Sequence, residues 1–366
     1  MSNPIAPHSE VSPWLVRISE VFSGLADEIL GQLGATTATP LGSEYWLIKT
    51  ATPAAVRNSA VSNFVRWNLP VQHSWPCCPQ KTEGFIEKAA QALFRKFGPL
   101  KPQAILVGQL EPSALNKYYK TLASNLRGRT LQLFPGLATA KTEPEDLPPG
   151  GPTLFCLVGK EGLFCGIQSP RDSNGFFPGG TKYISQNAPG TISRAGAKVA
   201  EALHYLRLYR PAPAARSHWL ELGASPGGMT AELLKRGYEV TAVDRAALDA
   251  RLDRAPGLNF FRSDVAAFQP PKHARYDAVL SDLNGSAHES IGHVIRLTAD
   301  LREGGLVIFT LKTTDATSTA AAHELFQTVV TRAKNSGLAL IASTHLTYNR
   351  QEFTLFLEKR GGMQNA

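Results

Sequence analysis

From Arg194 onward, short apolar runs alternate with stretches whose apolar positions recur every three or four residues. "AGAKVAEALHYL" predicts a helix and "HWLELGA" a strand. "MTAELLKRG" then reads as helix, "YEVTAVD" as strand, "NFFRSD" and "YDAVLSDL" as two further strands. "HESIGHVIRLTADL" and "AAAHELFQTVVTRAKNS" are amphipathic helices on either side of the strand "GLVIFTLK". "LALIASTHL" and "EFTLFLEK" close the series as strands. Strands that alternate with helices predict a doubly wound, mostly parallel sheet of Rossmann-like α/β type, with ligands outside the carboxyl ends of the strands.

The first half has a different rhythm. Leu15–Ala35 begins like a strand and continues with helical spacing at Phe22, Leu25, Ile29, Leu30 and Leu33, stopped by Gly34. "EYWLIKTA" and "QAILVGQL" read as strands, "TEGFIEKAAQALFRKFG" as a helix, and "AVRNSAVSNFVRWN" as ambiguous. Residues 114–135 predict a basic helix carrying Lys117, Lys120, Arg127 and Arg129, followed by a strand. "TLFCLVGKEGLFCGIQ" is a hairpin signal, turning at Gly159–Gly162. These segments predict an N-terminal α+β region over 1–168. A stretch dense in Gly, Pro, Ser and Asn makes 169–192 a linker, and 193–362 is the doubly wound domain. Phe176, Phe177, Lys182 and Tyr183 in that stretch are of a kind that also touches RNA.

A chain of 366 residues with 43% hydrophobic positions suits two domains. The net charge of +8 is compatible with a polyanionic partner and is spread over both halves. Cys77, Cys78, Cys156 and Cys165 lack zinc-site spacing and predict reduced thiols and no metal. The start, "MSNPIAPHSEVSPW", lacks the features of a secretory signal, and no apolar run approaches a membrane span. A soluble cytoplasmic protein with no membrane association and no obligate protein partner is expected.

Candidate chemistry gathers at the strand ends. In "LELGASPGGMT", Gly223, Gly227 and Gly228 allow a tight turn and a close approach to a ligand. Ser225, Pro226 and Met229 belong to the same turn. Asp244 ends the next strand, where a carboxylate accepts hydrogen bonds from a ribose diol. Asp264 follows the third, within reach of an adenine amine, and Asp282 the fourth. Together they predict a nucleoside cofactor. A phosphate loop is disfavoured, since the turn has no Walker lysine. The residues around Asp282, "SDLN", lack the D/N-P-P-Y arrangement that grips a planar amide or amine. Lys312 ends an apolar strand, a place where lysine is uncommon. Lys198 lies on the helix before the first strand, and Glu352 opens the last strand.

The segments "SRAGAKVAEA", "LGASPGG", "SDL", "TLK" and "RQEFTLFLE", in this order, resemble the FtsJ-like ribose 2′-O-methyltransferase family, and within it members that methylate a cytidine of 23S rRNA. The resemblance runs over about residues 164–360. It implies S-adenosylmethionine as methyl donor, S-adenosylhomocysteine as product, and a catalytic tetrad of Lys198, Asp282, Lys312 and Glu352. It also implies a THUMP-type RNA-binding region in the N-terminal half and RNA as the partner. A lysine serves as a base only when neutral, so Lys312 is expected either to take the proton of a 2′-hydroxyl or to orient it. Another RNA substrate, or RNA binding without turnover, are the alternatives.

Overall fold

The computed structural model describes residues 11–75, 82–111, 117–134, 136–137, 143–186, 188–314 and 316–361. Cys77 and Cys78 lie outside them. The chain divides into two compact units, Met1–Thr181 and Lys182–Ala366.

The first unit contains β1 (Ser12–Ile18), α1 (Ala26–Gln32), β2 (Ala35–Leu41), β3 (Tyr45–Thr50), α2 (Ala55–Asn58), β4 (Val65–Pro70), β5 (His73–Trp75), α3 (Thr82–Phe97), β6 (Ala104–Gln109), α4 (Tyr118–Leu133), β7 (Thr153–Gly159) and β8 (Gly162–Gln168). Two four-stranded sheets form, in the orders β2-β3-β1-β4 and β5-β8-β7-β6. The second sheet is buried on both faces. Cys156, Cys165, Leu154 and Val158 meet α3 and α4 on one side, while Phe155, Leu157 and Phe164 meet Leu15, Trp67 and Leu69 of the first sheet on the other. That is why β7 reads as an unbroken apolar run. The hairpin turns where expected, with Gly159 paired to Gly162, and Cys156 and Cys165 face each other as buried free thiols.

One expectation is corrected, and one strand was not foreseen. "TLQL" is not a strand but the last turns of α4. Leu122, Leu126 and Thr130 are buried at four-residue spacing, and the Thr130 hydroxyl donates to the Leu126 carbonyl at 2.7 Å, so the helical face continues. Strand β2, "ATTATPL", has no apolar alternation to announce it, because it is an edge strand exposed at most positions. Of the segment 169–192, residues 169–181 group with the first unit and 182–192 with the second. The buried Arg66 donates to the Asn174 carbonyl at 2.9 Å, and Arg17 to the Gly179 carbonyl at 2.7 Å.

The second unit contains α5 (Ala195–Leu206), β9 (His218–Leu222), α6 (Gly228–Lys235), β10 (Glu239–Asp244), β11 (Leu258–Arg262), β12 (Tyr276–Ser281), α7 (Ala287–Leu297), β13 (Leu301–Lys312), α8 (Thr319–Asn335), β14 (Leu338–Thr344) and β15 (Glu352–Lys359). One seven-stranded sheet runs β11-β10-β9-β12-β13-β15-β14. Strands β11, β10, β9, β12 and β13 run parallel to one another, and β15 is antiparallel to both of its neighbours, β13 and β14. The strand order reverses between β9 and β12, so a crevice opens at their carboxyl ends.

Candidate active site

The loops after β9, β10, β11 and β12 surround a cleft of about 980 Å³. Gly223 follows β9 with φ +82°, and a Cβ there would lie 3.0 Å from the Asp282 carbonyl oxygen. The position needs glycine for its backbone angle and to let the ends of β9 and β12 close up. Gly227, at φ +106°, caps α6, and a Cβ on it would run into Leu252. Asp244 is tied into the same turn. Its Oδ2 accepts the Ser225 N–H at 2.9 Å and its Oδ1 the Ala246 N–H at 2.8 Å. Asp264 accepts the Ala266 N–H at 2.8 Å.

Of the residues predicted to hold a cofactor, Gly223, Ser225, Pro226, Gly228, Met229, Asp244, Asp264 and Asp282 line the cleft; Gly227 shapes the turn from behind. Sequence reasoning missed its far wall, where His288, His293 and Arg296 of α7 and Arg332 of α8 also line it. Arg296 donates to the Val265 carbonyl at 2.6 Å, bracing the turn after β11, and Arg332 to the His288 carbonyl at 2.7 Å. Nothing in the spacing of these helical residues marks them out from a solvated face.

Lys198, Asp282, Lys312 and Glu352 come together as a closed ring in which each lysine touches both carboxylates. Lys312 Nζ donates to Asp282 Oδ1 at 2.5 Å and to Glu352 Oε2 at 2.7 Å. Lys198 Nζ reaches Asp282 Oδ2 at 3.5 Å and also donates to Glu352 Oε1. Three structural facts set this geometry. The antiparallel register of β13 and β15 puts Lys312 opposite Glu352. Asp282 leaves β12 beside Gly223, its N–H donating to the Leu222 carbonyl at 3.1 Å. Helix α5 packs against the start of α6 through Gly196, where a Cβ would sit 2.8 Å from the Gly228 carbonyl oxygen. That close approach brings Lys198 over the strand ends.

The ring is electrically balanced, and burial matters less than pairing. Burial alone would raise the Asp282 carboxyl, but the Lys312 and Lys198 ammonium groups outweigh it and its pKa is lowered. Burial alone would lower Lys312, but the Asp282 and Glu352 carboxylates outweigh it and its pKa is raised. In the resting site Lys312 is therefore an ammonium. Glu352, with its side chain 4% exposed, is held by its surroundings as well as by the lysines. Asn349 Nδ2 donates to its carbonyl at 3.3 Å.

Two buried acids support the site. Glu201 accepts the N–H groups of Thr347 at 3.1 Å and Tyr348 at 3.1 Å, pinning the loop that delivers Glu352 to the helix that carries Lys198. An acid three residues beyond Lys198, among the apolar positions of "AKVAEAL", was the signal in the sequence. Glu221 lies in β9, just before the glycine turn. Burial pushes its pKa up to about 8, with the Asp282 and Asp244 charges adding to the rise and the Thr230 hydroxyl, 2.8 Å away, opposing it. Among the described residues no group of three or more His, Cys, Asp or Glu side chains is placed to hold a metal ion. Nor is any described helix long and apolar enough to cross a membrane.

Residues 191–329 match the family described as FtsJ-like methyltransferase. That stretch holds Lys198, Asp282 and Lys312 and ends before Glu352. The chain is 30% identical over 142 residues to a ribosomal RNA large subunit methyltransferase M of Aggregatibacter aphrophilus, covering 38% of each chain. It is 32% identical over 144 residues to the protein of that name in Laribacter hongkongensis, covering 38% of this chain and 39% of the other. A third, from Actinobacillus succinogenes, is 27% identical over 220 residues, 58% of each. The chain thus spans between about two-fifths and three-fifths of the length of these relatives. The crystal structure of Aeropyrum pernix fibrillarin in complex with S-adenosyl-L-methionine aligns over 58% of this chain and 84% of its own. At 14% identity and a TM-score of 0.35 it is too distant to bear on function. Over residues 191–329, from ahead of α5 into α8, the second unit is thus similar to the FtsJ-like methyltransferases.

Proposed function

We propose that this chain transfers a methyl group from S-adenosylmethionine to a ribose 2′-hydroxyl of RNA, with a cytidine of 23S rRNA as the target. The observation that carries the reading is the ring of Lys198, Asp282, Lys312 and Glu352, which shares Asp282 with a cleft lined by three strand-end carboxylates. The donor set of the cleft fits the methyl donor. Asp244 and Asp264 supply acceptors for ribose hydroxyls and an amine, and the carboxylates suit a cationic sulfonium. When bound, that group supplies an activated methyl whose transfer to oxygen needs alignment and the release of one proton.

The chain's own residues then have distinct tasks. Two of the three N–H groups of Lys312 are engaged by Asp282 and Glu352. The third points the ammonium at the acceptor oxygen, fixing its lone pair and stabilising the negative charge that develops there. The raised pKa of Lys312 supports this orienting role over that of a resting base. As the oxygen–carbon bond forms and the methyl's bond to sulfur breaks, the hydroxyl proton passes to solvent water. Asp282 and Glu352 hold both ammonium groups in place, and Lys198 completes the frame around the ribose. The first unit is the region proposed to bind RNA through a THUMP-type domain, which would place target choice outside the methyltransferase domain.

The test is methyl transfer from labelled S-adenosylmethionine to unmodified 23S rRNA and to tRNA, with Lys312→Ala alongside. Label in 23S rRNA, recovered in an alkali-resistant dinucleotide and lost in the variant, is the expected result. Label in tRNA alone would overturn the substrate, and label in an alkali-sensitive position would overturn the 2′-hydroxyl as acceptor.

A further inference from the structure

A second groove, of about 600 Å³, runs along α5 and α6 under residues 182–186 and 188–193. Its charge differs from that of the cofactor cleft. Lys182, Arg207, Lys235 and Arg236 line it against a single carboxylate, Glu232, which is itself bridged by Arg236 at 2.7 Å. Gly196, Ala197 and Ala200 of α5 and Gly228 and Ala231 of α6 line it with small side chains. Tyr183 stands at its lip with 86% of its surface exposed. A ring displayed to that degree is accessible to a partner, and a nucleobase has the flat face to stack on it.

The groove adjoins the cofactor cleft. Gly228 lines both, so the two cavities share a wall where α6 begins. The outer wall is tied to the catalytic ring. The Tyr348 hydroxyl accepts the Ile184 N–H at 2.8 Å, while the Tyr348 N–H donates to Glu201, and Glu352 follows four residues on. The residues over the groove and the loop that delivers Glu352 are therefore held to one another.

We propose that this groove is the track for a single-stranded RNA segment flanking the acceptor nucleotide. Arg207 and Lys235 contact its phosphates, and Tyr183 stacks on one base. This rests on the reading of RNA as the substrate and adds where on the second unit the substrate lies. Phosphate contacts of this kind position the strand without reading its sequence.

The test uses the full chain and a short fluorescein-labelled single-stranded RNA, with affinity followed by anisotropy across a range of salt. Replacing Arg207→Gln together with Lys235→Gln removes two phosphate contacts. The dependence of log affinity on log salt should become shallower by about 1.4, at about 0.7 for each contact to a single strand. A control pair, Lys272→Gln with Lys334→Gln, removes the same charge from exposed positions that line neither cavity. It should leave the slope unchanged. Tyr183→Ala should weaken binding without changing the slope. Thermal midpoints and the binding of S-adenosylhomocysteine, followed by calorimetry, should match the unaltered chain in all variants. Equal changes in the two charge pairs would overturn the groove and leave only a general attraction. Unchanged RNA binding in the groove pair would also overturn it and give the surface to an acidic protein. Failure of the unaltered chain to bind RNA would overturn the RNA reading itself, a result distinct from the other two.

Discussion

Glu221→Gln isolates the energetic effect of the acid beneath the glycine turn. Glu221 is fully buried, accepts a hydrogen bond from Thr230, and has a pKa raised from 4.5 to about 8. An unfolded chain releases this proton near the ordinary value, whereas the folded chain keeps it. Between the two values the native state binds more protons than the unfolded state, so stability falls as pH rises. Each pH unit in that window is worth about 1.36 kcal/mol, so the loss from about pH 5 to pH 8 is about 4 kcal/mol. Glutamine keeps the acceptor for Thr230 and has no proton to lose. The thermal midpoint of the second unit, read by calorimetry for both proteins across that range, is the assay. For a unit of this size about 2–4 °C accompanies each kcal/mol. The gap between variant and wild type should therefore grow in the variant's favour by about 8–16 °C as pH rises. Other titrating groups cancel in the difference. Parallel pH curves for the two proteins would refute the reasoning, since they would mean that Glu221 ionises in the fold as readily as out of it.

Three further outcomes follow from the same geometry. Lys312→Met keeps the stem and removes the charge, leaving Asp282 and Glu352 with Lys198 alone; methyl transfer should fall by roughly 10²–10³-fold, by analogy with the loss of one preorganised donor, while S-adenosylhomocysteine still binds by calorimetry. Glu201→Ala removes the acceptor of two backbone N–H groups, so it should cost about 1.5–3 kcal/mol in urea unfolding and lower kcat more than it raises KM for the cofactor. Gly223→Ala places a Cβ against the Asp282 carbonyl at a backbone angle that favours glycine; it should cost about 1–3 kcal/mol and weaken cofactor binding, and a variant as stable and as tight-binding as wild type would contradict the close approach of β9 and β12.

Much of the site was legible because strand ends are legible. An apolar run that stops at a charged residue, as "GLVIFTLK" does at Lys312, marks the carboxyl edge of a buried strand, and alternating helices place those edges on one side of a sheet. Asp244, Asp264 and Asp282 were found in this way. The far wall was not, because His288, His293, Arg296 and Arg332 occupy helical positions that look solvated until two helices are packed over the cleft. The same limit hid β2, an exposed edge strand, and the helical end of α4, where "TLQL" has strand-like composition but its neighbours bury at four-residue spacing.

The sequence by itself determined the alternation of elements, the glycine turn, the identity of the strand-end groups and the resemblance that joined four distant residues. These are properties of local pattern, set by side-chain period and backbone freedom. Tertiary structure decided the rest. The register of β13 on β15 put Lys312 opposite Glu352, and the glycine contact of α5 with α6 brought Lys198 into the ring. Only the assembled ring decided the charge of Lys312. Burial and two carboxylates pull its pKa in opposite directions, and which prevails depends on distances to residues 30 and 40 positions away in the chain.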